Sequence, residues 1–263
     1  MEHVDIGGIQ IAYTRAGSGP PLVMLHGAPC DSRTWHWMLP DLARDHTVIA
    51  WDAPGFGQSS DIDDTWRAAQ FADSLAAFIA ELGLERPHLV GHSFGTMVAL
   101  TLFQRHPAVP ASLVLIGGYA GWAGSLPPAE VARRLEMFLG MADLGDGFDP
   151  KSYPGLFTDL IPADRDLALA TMMRENLRPA TVRAAGHIGA ETDLRPVLPA
   201  VDVPTLVLHG EADARSPLAN AEGLHAAIPT SQLVVLPKLG HACVVEDPEA
   251  CASAIRRFVS NLG

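Results

Sequence analysis

The chain has 263 residues, of which 48% are hydrophobic and 18% are charged. This length is enough for one large α/β domain with an insertion, and the composition excludes a disordered chain. The formal net charge of −12, without any basic cluster, argues against nucleic acid and anionic membranes as partners.

Three further features bear on location. Residues 1–5 lack the charged and apolar regions of a secretory signal peptide. No apolar run approaches the roughly 20 residues that span a bilayer. The cysteines Cys30, Cys243 and Cys251 are odd in number and do not have metal-site spacing. We therefore expect a cytoplasmic protein that is not bound to a membrane.

Strand and helix patterns alternate through the first half of the chain. Helical spacing of apolar residues predicts helices over 33–43, 66–82 and 94–105. Alternating or wholly apolar runs predict strands over 9–16, 22–25, 47–51, 88–90 and 112–116. This alternation implies a parallel sheet with helices on both faces.

The alternation is interrupted between residues 117 and 199, where no strand pattern is evident. Amphipathic stretches at 129–141 and 164–177 are joined there by Gly/Pro-rich links, and the strand and helix patterns then resume. We therefore predict a core domain of residues 1–118 and 197–263, with residues 119–196 inserted between two of its strands as a helical cap.

Residues 91–95 read Gly-His-Ser-Phe-Gly and stand between an apolar strand end and a helix-like run. A sharp strand-to-helix turn with this pattern exposes a serine hydroxyl above the sheet. It also directs backbone N–H groups and a helix N-terminus towards any negative charge that forms beside it. Ser93 is therefore the candidate nucleophile, and the alternative is a serine that only caps the helix.

A serine hydroxyl needs a base, usually a histidine, and the imidazole needs a carboxylate to orient it. Asp213 and His241 each follow a predicted strand near its carboxyl end, where open α/β sheets place their sites. The order Ser93, Asp213, His241 is the one found in the α/β-hydrolase fold. Glu211 is a weaker alternative to Asp213.

With these motifs the chain resembles the α/β-hydrolase superfamily, and among its members the esterases and lactonases with a serine nucleophile. The resemblance covers nearly the whole chain apart from the cap. It implies a mostly parallel eight-stranded sheet flanked by helices, with the cap inserted after the sixth strand. The matching segments are 25–29, 52–59, 91–95, 209–213 and 240–241.

The resemblance also implies an oxyanion hole. Acyl transfer places negative charge on a carbonyl oxygen, which preorganised N–H donors must stabilise. Phe94 N–H is one donor, because it follows the nucleophile, and resemblance to other His-Gly-x-Pro members assigns Ala28 N–H as the other. The same resemblance gives His26 the role of bracing this loop, whereas strand alternation turns His92 away from the pocket.

The predicted cap is rich in large apolar side chains, some of which we expect to line the substrate cleft. We predict that Trp122, Phe138, Met141 and Met172 bind substrate, together with Cys30 beside the oxyanion turn. The arginines of the cap are interpreted mainly as a solvated face, with one of them a candidate partner for a substrate carboxylate. They are Arg133, Arg134, Arg174, Arg178 and Arg183.

Together these features predict a serine hydrolase that cleaves an ester or lactone of a small to medium, largely apolar substrate through an acyl-enzyme on Ser93. No metal-ligand spacing and no dinucleotide fingerprint occur, so we predict no metal and no cofactor. The alternatives are a C–C bond hydrolase of a diketone ring-cleavage product, a cofactor-free perhydrolase, a hydroxynitrile lyase, or a non-catalytic ligand receptor. A homodimer is left open.

Overall fold

A single eight-stranded β-sheet forms the centre of the protein, which a computed structural model describes over residues 1–262. Its strands are β1 (Glu2–Ile6), β2 (Ile9–Ala16), β3 (Pro21–Leu25), β4 (Thr47–Trp51), β5 (His88–His92), β6 (Ser112–Ile116), β7 (Thr205–Gly210) and β8 (Ser231–Leu236). Their order in the sheet is β1-β2-β4-β3-β5-β6-β7-β8. The pairs formed by β2 with β1 and β4 are antiparallel, and all the others are parallel.

Helices cover the sheet because its central strands are apolar on both faces. Every residue of β6 and β7 is buried, as expected for parallel strands between two helical layers. The helices are α1 (Leu39–Leu42), α2 (Ala68–Glu81), α3 (Phe94–Arg105), α4 (Pro128–Leu144), α5 (Ala163–Glu175), α6 (Pro179–Glu191), α7 (Leu218–Ala227), α8 (Cys243–Glu246) and α9 (Pro248–Ser260). Among residues 1–262 there is no helix with the length and apolar content needed to span a bilayer.

Two local predictions differ from the structure. The helix predicted over 33–43 is instead a 3₁₀ turn at Ser32–Trp35 followed by the short α1. Pro40 explains the break, because it has no N–H and its ring clashes with a preceding helical turn. Strand β1 was not predicted, although Gly7 and Gly8, both with positive φ, form the tight turn that pairs it with β2.

The segment between β6 and β7 carries α4, α5 and α6, and all the strands lie outside it. Helices α4 and α6 pack closely, with Gly186 facing the Phe138 side chain. Gly189 of α6 likewise faces the Trp122 indole. This helical segment coincides with the predicted insertion, and its status as a separate cap domain stays a prediction.

Helix α3 approaches the sheet more closely than side chains would allow. A Cβ at Gly91 would lie 2.5 Å from the Gly95 carbonyl oxygen, and a Cβ at Gly95 would overlap the Leu25 carbonyl oxygen at the end of β3. Both neighbours are backbone atoms and cannot rotate away. These two glycines therefore allow the start of α3 to sit directly against the ends of the strands.

We expect Gly95→Ala to lower the free energy of unfolding by about 1–3 kcal/mol or more, because the new methyl group meets a fixed carbonyl. Gly140→Ala is the matched control, since Gly140 lies inside α4 with open space around its Cβ position. That change should add about 0.5–1 kcal/mol. Urea unfolding measures both. A Gly95→Ala protein as stable as the unchanged chain would contradict the packing described here.

Candidate active site

Ser93 occupies the turn between β5 and α3 in a strained backbone conformation. Its φ and ψ are 51° and −109°, a region that residues with a side chain seldom adopt and that costs on the order of 1–3 kcal/mol. The Ser93 N–H donates to the Ile116 carbonyl at 2.9 Å, which ties the turn to β6. The side chain is half-buried. The fold thus holds this hydroxyl at the rim of the sheet.

A continuous line of hydrogen bonds joins Ser93 to the two other predicted residues. His241 Nε2 lies 3.0 Å from Ser93 Oγ, and His241 Nδ1 lies 2.8 Å from Asp213 Oδ2. A carboxylate only accepts, so the Nδ1 atom carries the proton and Nε2 is free to accept from the hydroxyl. The structure therefore brings Ser93, Asp213 and His241 together in the arrangement that a general base requires.

The Asp213 carboxylate is buried and fully hydrogen-bonded. Its Oδ1 accepts from the backbone N–H groups of Arg215 at 2.8 Å and Ser216 at 2.7 Å. Burial alone would raise the pKa of Asp213, but the adjacent His241 and these hydrogen bonds lower it below its ordinary value. The group is therefore ionised at neutral pH and holds the imidazole in one orientation.

Glu211 lies elsewhere and cannot compete with Asp213. It is exposed, and its Oε2 accepts from the Lys238 N–H at 2.9 Å. Glu246, by contrast, is buried and binds the N–H of Gly240 at 2.6 Å, directly before His241. No sequence motif marks Glu246, which fixes the loop that carries the imidazole.

Two residues with unused backbone N–H groups line the cavity next to Ser93. Ala28 and Phe94 both line it. Phe94 begins α3, so its N–H has no acceptor within the helix, and within residues 1–262 neither N–H donates to another group. The predicted oxyanion donors are therefore close to the hydroxyl and free.

His26 braces the loop that carries Ala28. Its Nδ1 donates to the Gly27 carbonyl at 2.9 Å, and its Nε2 accepts from the Ala53 N–H at 3.0 Å. Burial lowers its pKa, so the ring stays neutral and both bonds persist. This geometry agrees with the bracing role that the resemblance implied.

His92 and His209 brace the other two loops of the site. His92 Nε2 donates to the His241 carbonyl at 2.8 Å, and His209 Nε2 donates to the Ser216 carbonyl at 2.8 Å. Burial, and then the nearby His241, lowers the pKa of His92 to about 3, and burial also lowers that of His209. His92 is not among the residues that line the cavity beside Ser93, and it contacts the backbone of His241, which is hydrogen-bonded to Ser93.

A narrow cavity of about 10 Å³ lies beside Ser93, far below the roughly 300–1,000 Å³ that is usual for ligand sites. Trp122 and Phe138, both predicted to bind substrate, line it. The other three predicted residues are buried outside this lining, and Met172, for example, contacts Thr34 through its sulfur. They are Cys30, Met141 and Met172.

The cavity also has lining residues that were not predicted. Met97 lies one helical turn beyond Ser93, a spacing that could have identified it. Ala185 and Tyr153 come from the segment between β6 and β7. The sequence patterns predict helices in this segment but not which of its side chains reach the cavity. Arg215 follows Asp213 by two residues, and that proximity is the only signal it offered.

Comparison with known proteins supports the fold and its enzyme class. The model of a family described as the alpha/beta hydrolase family matches residues 22–254. A pimeloyl-[acyl-carrier protein] methyl ester esterase from Aeromonas hydrophila is 30% identical, over 95% of this chain and 100% of that protein. A 2-hydroxy-6-oxo-6-(2'-aminophenyl)hexa-2,4-dienoic acid hydrolase from Metapseudomonas resinovorans is 29% identical, over 98% and 90% respectively.

Among solved structures, a thermophilic esterase from Thermogutta terrifontis superposes with a TM-score of 0.90 at 30% identity. The match covers 100% of this chain and 99% of that one. The predicted fold, a mostly parallel eight-stranded sheet flanked by helices, is therefore confirmed, and the relatives support a hydrolase.

The buried histidines predict how stability depends on pH. The pKa of His92 is lowered in the folded state to about 3. The contribution of His92 to the free energy of unfolding is therefore fully present above its ordinary pKa of about 6.5. It is lost as the pH falls towards 3, because the unfolded chain then binds a proton that the folded chain does not bind. We expect His92→Gln, which cannot titrate, to reduce the loss of unfolding free energy between pH 6 and pH 4. In this variant the slope of the unfolding free energy against pH should be smaller by about 1.4 kcal/mol per pH unit than in the unchanged chain.

Urea unfolding at pH 6, 5 and 4 measures this slope. His3→Gln is the control, because it makes the same change at an exposed position in β1. Equal slopes in the two variants would show that His92 is not held neutral by the fold.

Proposed function

We propose that this chain, which belongs to the alpha/beta hydrolase family, is a serine hydrolase that cleaves carboxylic esters or lactones through an acyl-enzyme on Ser93. The observation that carries the proposal is the unbroken hydrogen-bonded line from Asp213 through His241 to the Ser93 hydroxyl. A serine activated in this way is a nucleophile for acyl transfer. The esterases among the relatives favour an ester as the substrate class.

In the first half of the proposed reaction, Ser93 Oγ attacks the substrate carbonyl while His241 Nε2 takes its proton. The charge that develops on the carbonyl oxygen is stabilised by the N–H groups of Ala28 and Phe94, which need no reorganisation. Asp213 stabilises the imidazolium that forms. His241 then returns the proton to the departing alcohol, and the acyl group remains on Ser93.

In the second half, His241 removes a proton from water, and the resulting nucleophile attacks the acyl-enzyme. The same two N–H groups stabilise the second tetrahedral intermediate, and the acid is released as the proton returns to Ser93. Most of the cavity lining is apolar, from Met97, Trp122 and Phe138, which favours a small substrate with an apolar acyl chain.

A C–C bond hydrolase is the second candidate, because a relative of similar identity has that name and could use the same three side chains. A panel of short esters, lactones and diketones separates the two. If kcat/KM for the diketones exceeds that for the esters by several orders of magnitude, the ester proposal is wrong and C–C bond hydrolysis takes its place.

We expect Ser93→Ala to abolish the hydrolysis of p-nitrophenyl acetate, because no nucleophile remains at the turn. The loss in kcat should be on the order of 10⁵ or more. A fluorophosphonate should label the unchanged chain at Ser93, with peptide mass spectrometry locating the adduct. Ser253→Ala, on the exposed face of α9, is the matched control. Undiminished turnover in Ser93→Ala would overturn the proposal.

Asp213→Asn tests the orienting carboxylate. The amide removes the charge and allows the wrong imidazole tautomer, so kcat should fall by about 10⁴. Glu211→Gln makes the same change of charge two residues away in the chain, at an exposed side chain, and should change kcat less than twofold. If Glu211→Gln were the more damaging variant, the assignment of the acid would be wrong.

A further inference from the structure

Arg215 is a buried cation that lines the cavity beside Ser93. Its exposed fraction is 6%. Among the side chains described in residues 1–262, no carboxylate lies within 4 Å of its guanidinium. Removing an unpaired charge from water is costly, and folded proteins normally pair such a group.

The hydrogen bonds of Arg215 leave part of the guanidinium unused. Nη1 donates to the Pro154 carbonyl at 2.9 Å, and Nη2 donates to the Tyr153 hydroxyl at 3.1 Å. An arginine has five N–H donors, so three find no acceptor among the described residues. Burial raises the pKa of Tyr153, which is therefore a neutral acceptor and does not balance the charge.

A second buried arginine in the same region shows what the fold does for a structural cation. Arg134 is 4% exposed, and its Nε pairs with Glu130 at 2.6 Å. Its Nη1 and Nη2 bind the Tyr119 hydroxyl and the Arg215 carbonyl, at 2.9 Å and 2.6 Å. The chain thus supplies a counter-ion for Arg134, which does not line the cavity, and none for Arg215, which does.

The backbone holds Arg215 firmly in relation to the proposed catalytic residues. Its N–H binds Asp213 Oδ1, and its carbonyl accepts from Tyr119 and Arg134. The Tyr153 ring stacks on the guanidinium, with Cζ 4.1 Å from the ring centroid. A rigid, planar donor set of this kind suits a carboxylate, which it can bind through two oxygens.

We propose that Arg215 binds a carboxylate on the acyl chain of the substrate, so that the preferred substrates are short esters whose acyl chain ends in a carboxylate. This inference rests on the proposed function. The acyl chain is the part concerned because the acyl group stays on Ser93 after the alcohol leaves, and Arg215 lines the cavity beside Ser93. The small volume limits the chain that separates the ester carbonyl from the carboxylate.

A substrate with a terminal carboxylate differs from the largely apolar substrate that the sequence predicts. The proposal also places the anion-binding group in the loop after β7, outside the arginines of the predicted cap. The apolar lining then contacts the methylene chain, and Arg215 recognises its far end. The bound carboxylate would be the counter-ion that the described residues do not provide.

The test compares esters that differ only in this charge. The monomethyl esters of succinate, glutarate and adipate are each paired with the methyl ester in which an isopropyl group replaces the carboxylate. Hydrolysis consumes water and yields an acid and methanol, and methanol release measures both series. We expect the unchanged chain to favour the charged ester of at least one length by about 100-fold in kcat/KM.

Three variants separate recognition from a structural role. Arg215→Gln should lose about 100-fold in kcat/KM on the charged ester and less than threefold on its neutral partner. Arg215→Lys, which keeps the charge without the planar donors, should retain part of the preference. Arg174→Gln removes an exposed arginine of the same segment as Tyr153 and should leave the preference unchanged.

The outcomes are distinct. Equal losses on charged and neutral esters in Arg215→Gln, or no preference for charge at any length in the unchanged chain, would overturn the inference. If Arg215→Gln does not fold, the preference of the unchanged chain and the behaviour of Arg215→Lys decide. Hydrolysis of p-nitrophenyl acetate that depends on Ser93 reports on the proposed function separately, so a failure of the inference can be told apart from a failure of the proposed function.

Discussion

The hydrogen bond between the buried Asp213 carboxylate and His241 Nδ1 is the interaction on which the site depends. Burial by itself raises the pKa of this carboxylate. Two backbone N–H groups and one imidazole keep it charged. The charge in turn fixes the tautomer that leaves Nε2 able to accept from Ser93. The hydrogen bond of the hydroxyl is therefore set by a group that the hydroxyl does not contact.

The sheet makes this interaction possible by placing three loops at one edge. Ser93, Asp213 and His241 follow β5, β7 and β8, whose carboxyl ends meet there because the strands are parallel. Two of these loops are then braced by buried side chains. His209 binds the Ser216 carbonyl in the loop after β7, and in the loop after β8 His92 binds the His241 carbonyl while Glu246 binds the Gly240 N–H. The precision of the site comes from these backbone contacts as much as from the three side chains.

The fold and the proximity of Ser93, Asp213 and His241 could be predicted from the sequence. Each signal is a short local motif, and the motifs follow one another in a fixed order along the chain. The pattern around Ser93 needs only five residues, and buried parallel strands form continuous apolar runs. The helix predicted over 33–43 is wrong, because Pro40 interrupts the helix that the apolar spacing would otherwise favour. The substrate-binding residues were harder to predict, because hydrophobicity identifies which side chains are buried but not which of them line a cavity.

Arg215 illustrates that limit most clearly. In the sequence it is one arginine among many, and the predicted candidates for binding a substrate carboxylate are the arginines of the cap. Its environment depends on Tyr153 and Pro154, about sixty positions away in the chain, which meet it only when the segment between β6 and β7 folds over the sheet. A buried cation that has a counter-ion is explained by the structure alone, whereas one that has no counter-ion is a candidate for binding an anionic ligand. Arg134 has Glu130 beside it, whereas Arg215 has no carboxylate within 4 Å among the described residues and lines the cavity next to Ser93.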